Sequence, residues 1–367
     1  MPRGHLFASA LVLSALLGSG VAHAQIKIAT AGPMTGQYAA FGQQMKEGAQ
    51  QAIDDINKAG GVLGQQLQLT VGDDACDPRQ AVSVANSFAS QGVKFVAGHY
   101  CSGSSIPASK VYTEEGILQM TPASTNPDFT DKGSWNTFRL CGRDDQQGKV
   151  AGDYIAAHYK GQKIAVLNDN TAYGKGLAEE TEKNMKAKGV DPAMVATYTP
   201  GEKDYSALVS RMKAAGINVI YIGGYHTEAG LIIRQAKEQG MNPTLISGDA
   251  LVTKEFWQIA GPAGQGTMMT FAPDLSKRPT AAAVVQEFTS RKIDPEGYTL
   301  YTYAAVQIWA QAAKKANSTE PKKVAAELKS GGPWQSIIGP ITFDKKGDVE
   351  GPSYVFYVWK DGNYGEM

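Results

Sequence analysis

Residues 26–71 open with Ile26-Lys27-Ile28-Ala29-Thr30 (IKIAT), continue as AGPMTGQYAAFGQQMKEGAQQAIDDINKAGGVLGQQ over 31–66, and end on Leu67-Gln68-Leu69-Thr70-Val71 (LQLTV). The two flanking runs are short and apolar, as strands are. Between them Phe41, Met45, Gly48, Ala49, Ala52, Ile53 and Ile56 recur at three- and four-residue steps, which marks a helix with one buried face. Gly60-Gly61 stops it. A strand, a helix and a second strand within 46 residues form the unit from which parallel sheets are built.

Working outward, the same alternation recurs. Ala81, Ala85, Phe88 and Ala89 mark a helix, Phe95–Ala97 a strand, 104–115 a helix and Ile117–Met120 a strand. After about residue 143 strands are expected at Ile164–Leu167, Val195–Tyr198, Val219–Ile222, Thr244–Ile246 and Thr267–Thr270, with helices near 145–159, 174–188, 204–215 and 227–239. Tyr298–Lys315 and Lys322–Lys329 read as helices. Ile341–Phe343 and Tyr354–Trp359 read as strands on either side of the polar turn Asp344-Lys345-Lys346-Gly347-Asp348. The fold class is therefore α/β, with two lobes of doubly wound parallel sheet and binding loops at the carboxyl ends of the strands. Single cores stop growing near about 250–300 residues, so a chain of 367 residues is expected to divide in this way.

The first 24 residues set the compartment. Arg3 precedes the twelve-residue apolar run Leu6–Leu17, and Ala22-His23-Ala24 has the small-x-small spacing of a signal peptidase site, so cleavage is expected before Gln25. The run is too short for a spanning helix, which needs about twenty residues. No cysteine follows the cleavage site to take a lipid. Without residues 1–24 the chain carries 34 Lys and Arg against 35 Asp and Glu, a net charge of −1. That balance gives no reason to expect nucleic acid or an anionic membrane as partner. Cys76, Cys101 and Cys141 remain in an oxidising compartment, where three thiols allow three pairings.

Motifs for catalysis are weak. His5, His23, His99, His158 and His226 show no metal-binding spacing, and neither a nucleophile elbow nor a phosphate loop occurs. Gly32-Pro33-Met34-Thr35-Gly36 lacks dinucleotide-binding spacing. His99 and Cys101 could form a base–nucleophile pair, but Cys101 reads more simply as a half-cystine. Asp73-Asp74 and Asp144-Asp145 read as solvated loop ends. No cofactor is implied.

Several strings, taken in order, resemble the leucine/isoleucine/valine-binding proteins of ABC transporters. They are Asp73-Asp74-Ala75-Cys76-Asp77-Pro78, Gly98-His99-Tyr100-Cys101-Ser102, Thr121-Pro122-Ala123-Ser124-Thr125, Gly201-Glu202-Lys203-Asp204-Tyr205-Ser206 and Gly223-Gly224-Tyr225-His226. Thr302-Tyr303-Ala304-Ala305, Gly339-Pro340 and Lys346-Gly347-Asp348 extend the match over the whole mature chain. The resemblance implies the type I periplasmic binding protein fold, two lobes joined by three segments. It divides the chain into a signal peptide (1–24), a first lobe of 25–142 plus 274–351 and a second of 143–273 plus 352–367. It implies a Cys76–Cys101 disulfide and leaves Cys141 as a buried free thiol.

It also implies a site for a free amino acid. Ser102, at a helix start where backbone N–H groups favour an anion, would take the carboxylate, though it also reads as an ordinary helix cap. Thr125 would help hold both charged ends, beside Ser124, with the Ala123 carbonyl accepting from the ammonium. A buried ammonium needs a counter-charge. The family uses a glutamate there, whereas this chain has Asp249, one methylene shorter, which could otherwise cap a helix. Phe41, Tyr100, Tyr173, Tyr225 and Tyr298 would line the side-chain pocket and narrow it. The expected ligand is accordingly an aliphatic amino acid of branched-chain size or smaller, such as alanine, valine, serine, proline or γ-aminobutyrate. The expected partners are membrane permease subunits, and the chain is expected to be a monomer in the periplasm. A sensor serving a separate receptor and a hydrolase on the same lobes are the alternatives.

Overall fold

A computed structural model describes Met1 and residues 25–351 and 353–367. The signal sequence expected over residues 1–24 lies, from residue 2 onward, outside the described residues. The first lobe begins β1 (Ile26–Gly32), α1 (Ala39–Lys58), β2 (Leu67–Asp73), α2 (Pro78–Ser90), β3 (Phe95–Gly98), α3 (Ser102–Glu114), β4 (Leu118–Thr121), the single turn α4 (Asp128–Asp131) and β5 (Thr137–Arg139). These strands form one parallel sheet in the order β2-β1-β3-β4-β5.

The chain then builds α5 (Asp144–His158), β6 (Ile164–Asn168), α6 (Ala172–Ala187), β7 (Met194–Thr197), α7 (Ser206–Ala215), β8 (Val219–Gly223), α8 (His226–Glu238), β9 (Thr244–Ser247), α9 (Lys254–Ala260) and β10 (Met268–Phe271). It returns to the first lobe through α10 (Ala282–Ser290), α11 (Thr299–Lys315), α12 (Pro321–Ser330) and the hairpin β11 (Trp334–Ser336) and β12 (Gly339–Ile341). It ends in β13 (Val355–Lys360) and β14 (Asn363–Glu366) on the second sheet. That sheet runs β14-β13-β10-β9-β8-β6-β7. The chain crosses between the two sheets three times, at 140–143, at 272–274 and beyond residue 348.

Local chemistry explains the element ends. Asp77 caps α2 by accepting from the N–H groups of Arg79 (2.8 Å) and Gln80 (2.9 Å), with Pro78 at the first helical position. Thr171 caps α6 in the same way through Gly174. Gly216 ends α7 in the left-handed conformation at φ 72°. Strands β3, β4, β6 and β8 are buried along their whole length, as strands covered by helices on both faces should be.

Two expectations need correction. The strand expected at Ile341–Phe343 lies instead at Gly339–Ile341, paired with Trp334–Ser336. Phe343 has already left the hairpin and bridges to Val349 across the Asp344–Asp348 turn. The second sheet is also not wholly parallel, because β13 and β14 run antiparallel at its edge. A hairpin added after the last crossing needs no helical return, so nothing in the βαβ rhythm announced it.

The packing of α1 on α11 shows how closely the first lobe is built. A methyl at Gly48 would lie 2.2 Å from the Thr299 carbonyl oxygen. Alanine favours a helix interior by about 1 kcal/mol over glycine, but the clash here is with backbone and cannot be relieved by a side-chain turn. Gly48→Ala should therefore lower stability by about 1–3 kcal/mol, the usual range for overpacking. A urea titration checks this. An unchanged or raised midpoint would show that propensity outweighs the contact.

Candidate functional site

The carboxyl ends of both sheets converge on a small cavity lined by Tyr100, Ser102, Ala123, Tyr173, Tyr225, Asp249 and Ala250. First-lobe loops after β3 and β4 supply Tyr100, Ser102 and Ala123. Second-lobe loops supply Tyr225 at the start of α8 and Asp249 after β9, while Tyr173 lies in the first turn of α6. Ser102 is the first residue of α3, with Cys101 in the capping position, so it is not itself the cap. Its hydroxyl accepts from the Asn126 N–H at 3.2 Å. The unpaired N–H groups that open a helix suit an anion at this point.

Asp249 is the group on which the site's electrostatics turn. It begins a short 3-10 turn and is 3% exposed. Its side chain caps no helix. It accepts from the Tyr173 hydroxyl at 2.8 Å and from the Tyr298 hydroxyl across the lobes. No lysine, arginine or histidine pairs with it among the described residues. Burial pushes its carboxyl upward, while the hydrogen bonds from Tyr298, Tyr173 and Gln147 pull it down. A carboxylate held this way, satisfied by neutral donors only, is suited to receive a cation.

The aromatic residues fall into two layers. Tyr100, Tyr173 and Tyr225 face the cavity, with Tyr173 and Tyr225 ring centroids 5.1 Å apart. Phe41 and Tyr298 stand behind them. Phe41 stacks on Tyr100 at 4.4 Å and 13°, and Tyr298 meets Tyr100 edge-on at 5.4 Å. Ser124 is spent on structure, bonded to Ser105 (2.6 Å) and the Tyr100 carbonyl (2.8 Å). The Thr125 hydroxyl is buried and has no hydrogen-bond partner among the described residues, while its carbonyl accepts from the Asp144 N–H.

Sequence reasoning missed Asp144 and Arg139. Asp144 is not a solvated loop end. It is fully buried, neither carboxylate oxygen has a hydrogen-bond partner among the described residues, and burial and then the charge of Asp249 push its carboxyl well up. Its neighbour Asp145 is half-buried and ion-paired to Arg143. Asp74 is likewise buried, bonded to His99 at 2.5 Å, and His99 reaches Tyr112 at 2.8 Å. Cys101 is disulfide-bonded to Cys76, with 5.5 Å between their Cα atoms, so no base–nucleophile pair exists there. Cys141 is a buried free thiol whose Sγ lies 3.6 Å from the Ser124 carbonyl, and burial pushes its pKa up.

Arg139 holds the Ala123–Thr125 loop in place. It is fully buried at the end of β5. It donates to Asp348 (2.8 Å), to the carbonyls of Ser124 (3.0 Å) and Asn126 (2.8 Å), and to the Thr130 hydroxyl. Arg143 in the first connecting segment donates to the other Asp348 oxygen at 2.8 Å. Asp348 is buried, which pushes its carboxyl up, but the two guanidinium groups hold it below the usual carboxylate range.

The two-lobe fold, three-segment hinge and interlobe cavity define a type I periplasmic binding protein. The family model described as periplasmic binding protein matches residues 25–363, and the chain belongs to that family. It is 49% identical over 364 residues to the "Leu/Ile/Val-binding protein homolog 1" of Brucella suis biovar 1, covering 99% of this chain and 98% of that one. Among solved structures it is similar to the leucine binding protein LivK of Thermotoga maritima, with a TM-score of 0.86, 27% identity and coverage of 93% and 97%. It is also similar to the branched-chain amino acid transporter substrate binding protein LivJ of Streptococcus pneumoniae in complex with isoleucine, with a TM-score of 0.83, 25% identity and coverage of 94% and 99%.

Removing one partner of a buried, hydrogen-bonded charge pair costs about 3–5 kcal/mol. Arg139→Met should therefore lose stability in that range, read as a fall in the denaturant midpoint. A loss below about 1 kcal/mol would contradict the role assigned to Arg139.

Proposed function

We propose that this chain is the periplasmic substrate-binding component of an ABC transporter and captures a small aliphatic amino acid between its lobes. The observation that carries the reading is Asp249: a buried carboxylate without a cationic partner, facing Ser102 at the start of α3. In this reading the two sides of one cavity take an ammonium and a carboxylate, since Asp249 and Ser102 both line it. The crowding of the cavity supports a small ligand: three tyrosine rings, Tyr100, Tyr173 and Tyr225, bound it on both lobes. Alanine, valine, serine, proline and γ-aminobutyrate are preferred to leucine on that ground.

In this reading Ser102, Thr125 and the Ala123 carbonyl bind the charged ends from the first lobe (25–142 plus 274–351). The second lobe (143–273 plus 352–367) closes with Tyr225 and Asp249 and expels water. Tyr100, Tyr173 and Tyr225 bound the ligand side chain, with Phe41, Tyr298 and Ser124 holding those groups in position. The chain acts without catalysis, as a monomer exported by cleavage after Ala24, and its closed form docks on membrane permease subunits. The relatives named for leucine, isoleucine and valine support the amino-acid class.

A thermal-shift panel of the twenty amino acids and γ-aminobutyrate tests this. Ligand at a hundred times Kd should add about 2.7 kcal/mol. No response to any of them would overturn the amino-acid reading, and a response to leucine without one to alanine or valine would overturn the small-ligand part. Asp249→Asn, which keeps the volume and removes the charge, should abolish most binding; unchanged affinity would reject the ammonium role.

A further inference from the structure

The lobes also touch outside the ligand cavity, around the buried carboxylate of Glu228. Glu228 is the third residue of α8 in the second lobe and is fully buried. It accepts from the Gln37 side-chain amide at 2.9 Å and from the Tyr38 hydroxyl at 3.2 Å, both on the turn that follows β1 in the first lobe. From its own lobe it accepts from the Gly201 N–H at 2.9 Å. The same turn is gripped twice more. The Thr227 hydroxyl donates to the Gln37 carbonyl at 3.1 Å, and the Tyr38 ring packs on Tyr225 with centroids 4.4 Å apart. The start of α8 favours a negative charge at this position. None of the Glu228 partners is a cation, and Glu228 does not line the ligand cavity.

We propose that Glu228, with Gln37 and Tyr38, is a latch that holds the closed form and sets how slowly every ligand leaves. The inference rests on the reading of lobe closure around a ligand. Its physical basis is that the carboxylate reaches Gln37 and Tyr38 only when the lobes meet. With the lobes apart, water replaces those two donors and only the Gly201 N–H remains. Hydrogen bonds to a charged acceptor are the stronger kind. Closure gains them after the ligand has docked, so the latch acts on dissociation. Because it touches no ligand atom, its effect is uniform across ligands. Glu228 is therefore a positioning residue, distinct from Asp249.

The latch can be tested by stopped-flow kinetics on the full mature protein, with the two amino acids that bind the unaltered chain best. Glu228→Gln keeps the shape and removes the charge. The expected result is a rise of about tenfold in the dissociation rate, equal for both ligands, with the association rate within about twofold. Tyr38→Phe, which removes one hydroxyl, should raise the dissociation rate by a smaller factor. In the double variant it should add little beyond Glu228→Gln, since contacting residues are not additive. If Glu228→Gln does not fold, Tyr38→Phe and Gln37→Ala carry the test. Unchanged dissociation rates, a change confined to association, or a change for one ligand only would overturn the proposal. Failure of the unaltered chain to bind any amino acid would instead defeat the binding reading beneath it.

Discussion

A carboxylate sealed from water without a cation is costly, and Asp249 is held in that condition by design of the surrounding fold. Its two hydroxyl donors come from opposite lobes, Tyr173 on α6 and Tyr298 at the start of α11. Both rings sit in the aromatic layers that close the cavity. The second lobe delivers Asp249 at the end of β9, where parallel topology gathers its loops, and the first lobe presents α3 opposite. A zwitterion resolves the arrangement in a way that a neutral or anionic ligand cannot. An ammonium would neutralise Asp249, and a carboxylate would meet the opening turn of α3.

The site's geometry depends equally on Arg139. Its guanidinium uses the planar fork to hold two carbonyls of the loop after β4, while Asp348 balances its charge. Asp348 stands just before the third connecting segment, and Arg143 in the first segment holds its other oxygen. One ion cluster thus ties the loop that carries Thr125 to two of the three crossings between lobes. The loop after β4 and the first crossing are therefore held by the same ion pairs. Glu228, by contrast, joins the two lobes through hydrogen bonds to neutral groups alone.

The periodic features of the chain were legible because burial imposes them locally. The spacing of Phe41, Met45, Gly48 and Ala52 announced α1, and the strand–helix rhythm announced two parallel sheets. Asp249 was singled out by the resemblance, as the residue standing where the family has a glutamate, and by nothing in the periodicity. Burial of isolated charges was not. Arg139 is partnered by a residue 209 positions away, and Glu228 by residues about 190 away, so neither pattern nor propensity could distinguish them from solvated charges. Asp144 and Asp145 illustrate the limit within two residues, one turned into the core and one toward solvent. The division of the aromatics into a lining layer and a backing layer is likewise a matter of tertiary packing: the resemblance put all five in one lining, whereas Phe41 and Tyr298 do not line the cavity.

The central claim is that Asp249 selects its ligand by pairing with an ammonium. It is tested most directly by calorimetric titration of the unaltered exported chain with two ligands of matched shape. One is the amino acid it binds best, and the other is the hydroxy acid that carries a hydroxyl in place of the ammonium. A site whose buried charge is left unpaired rejects the wrong analogue strongly, so the hydroxy acid should bind at least about a hundredfold more weakly. Affinities within tenfold of each other would contradict the account.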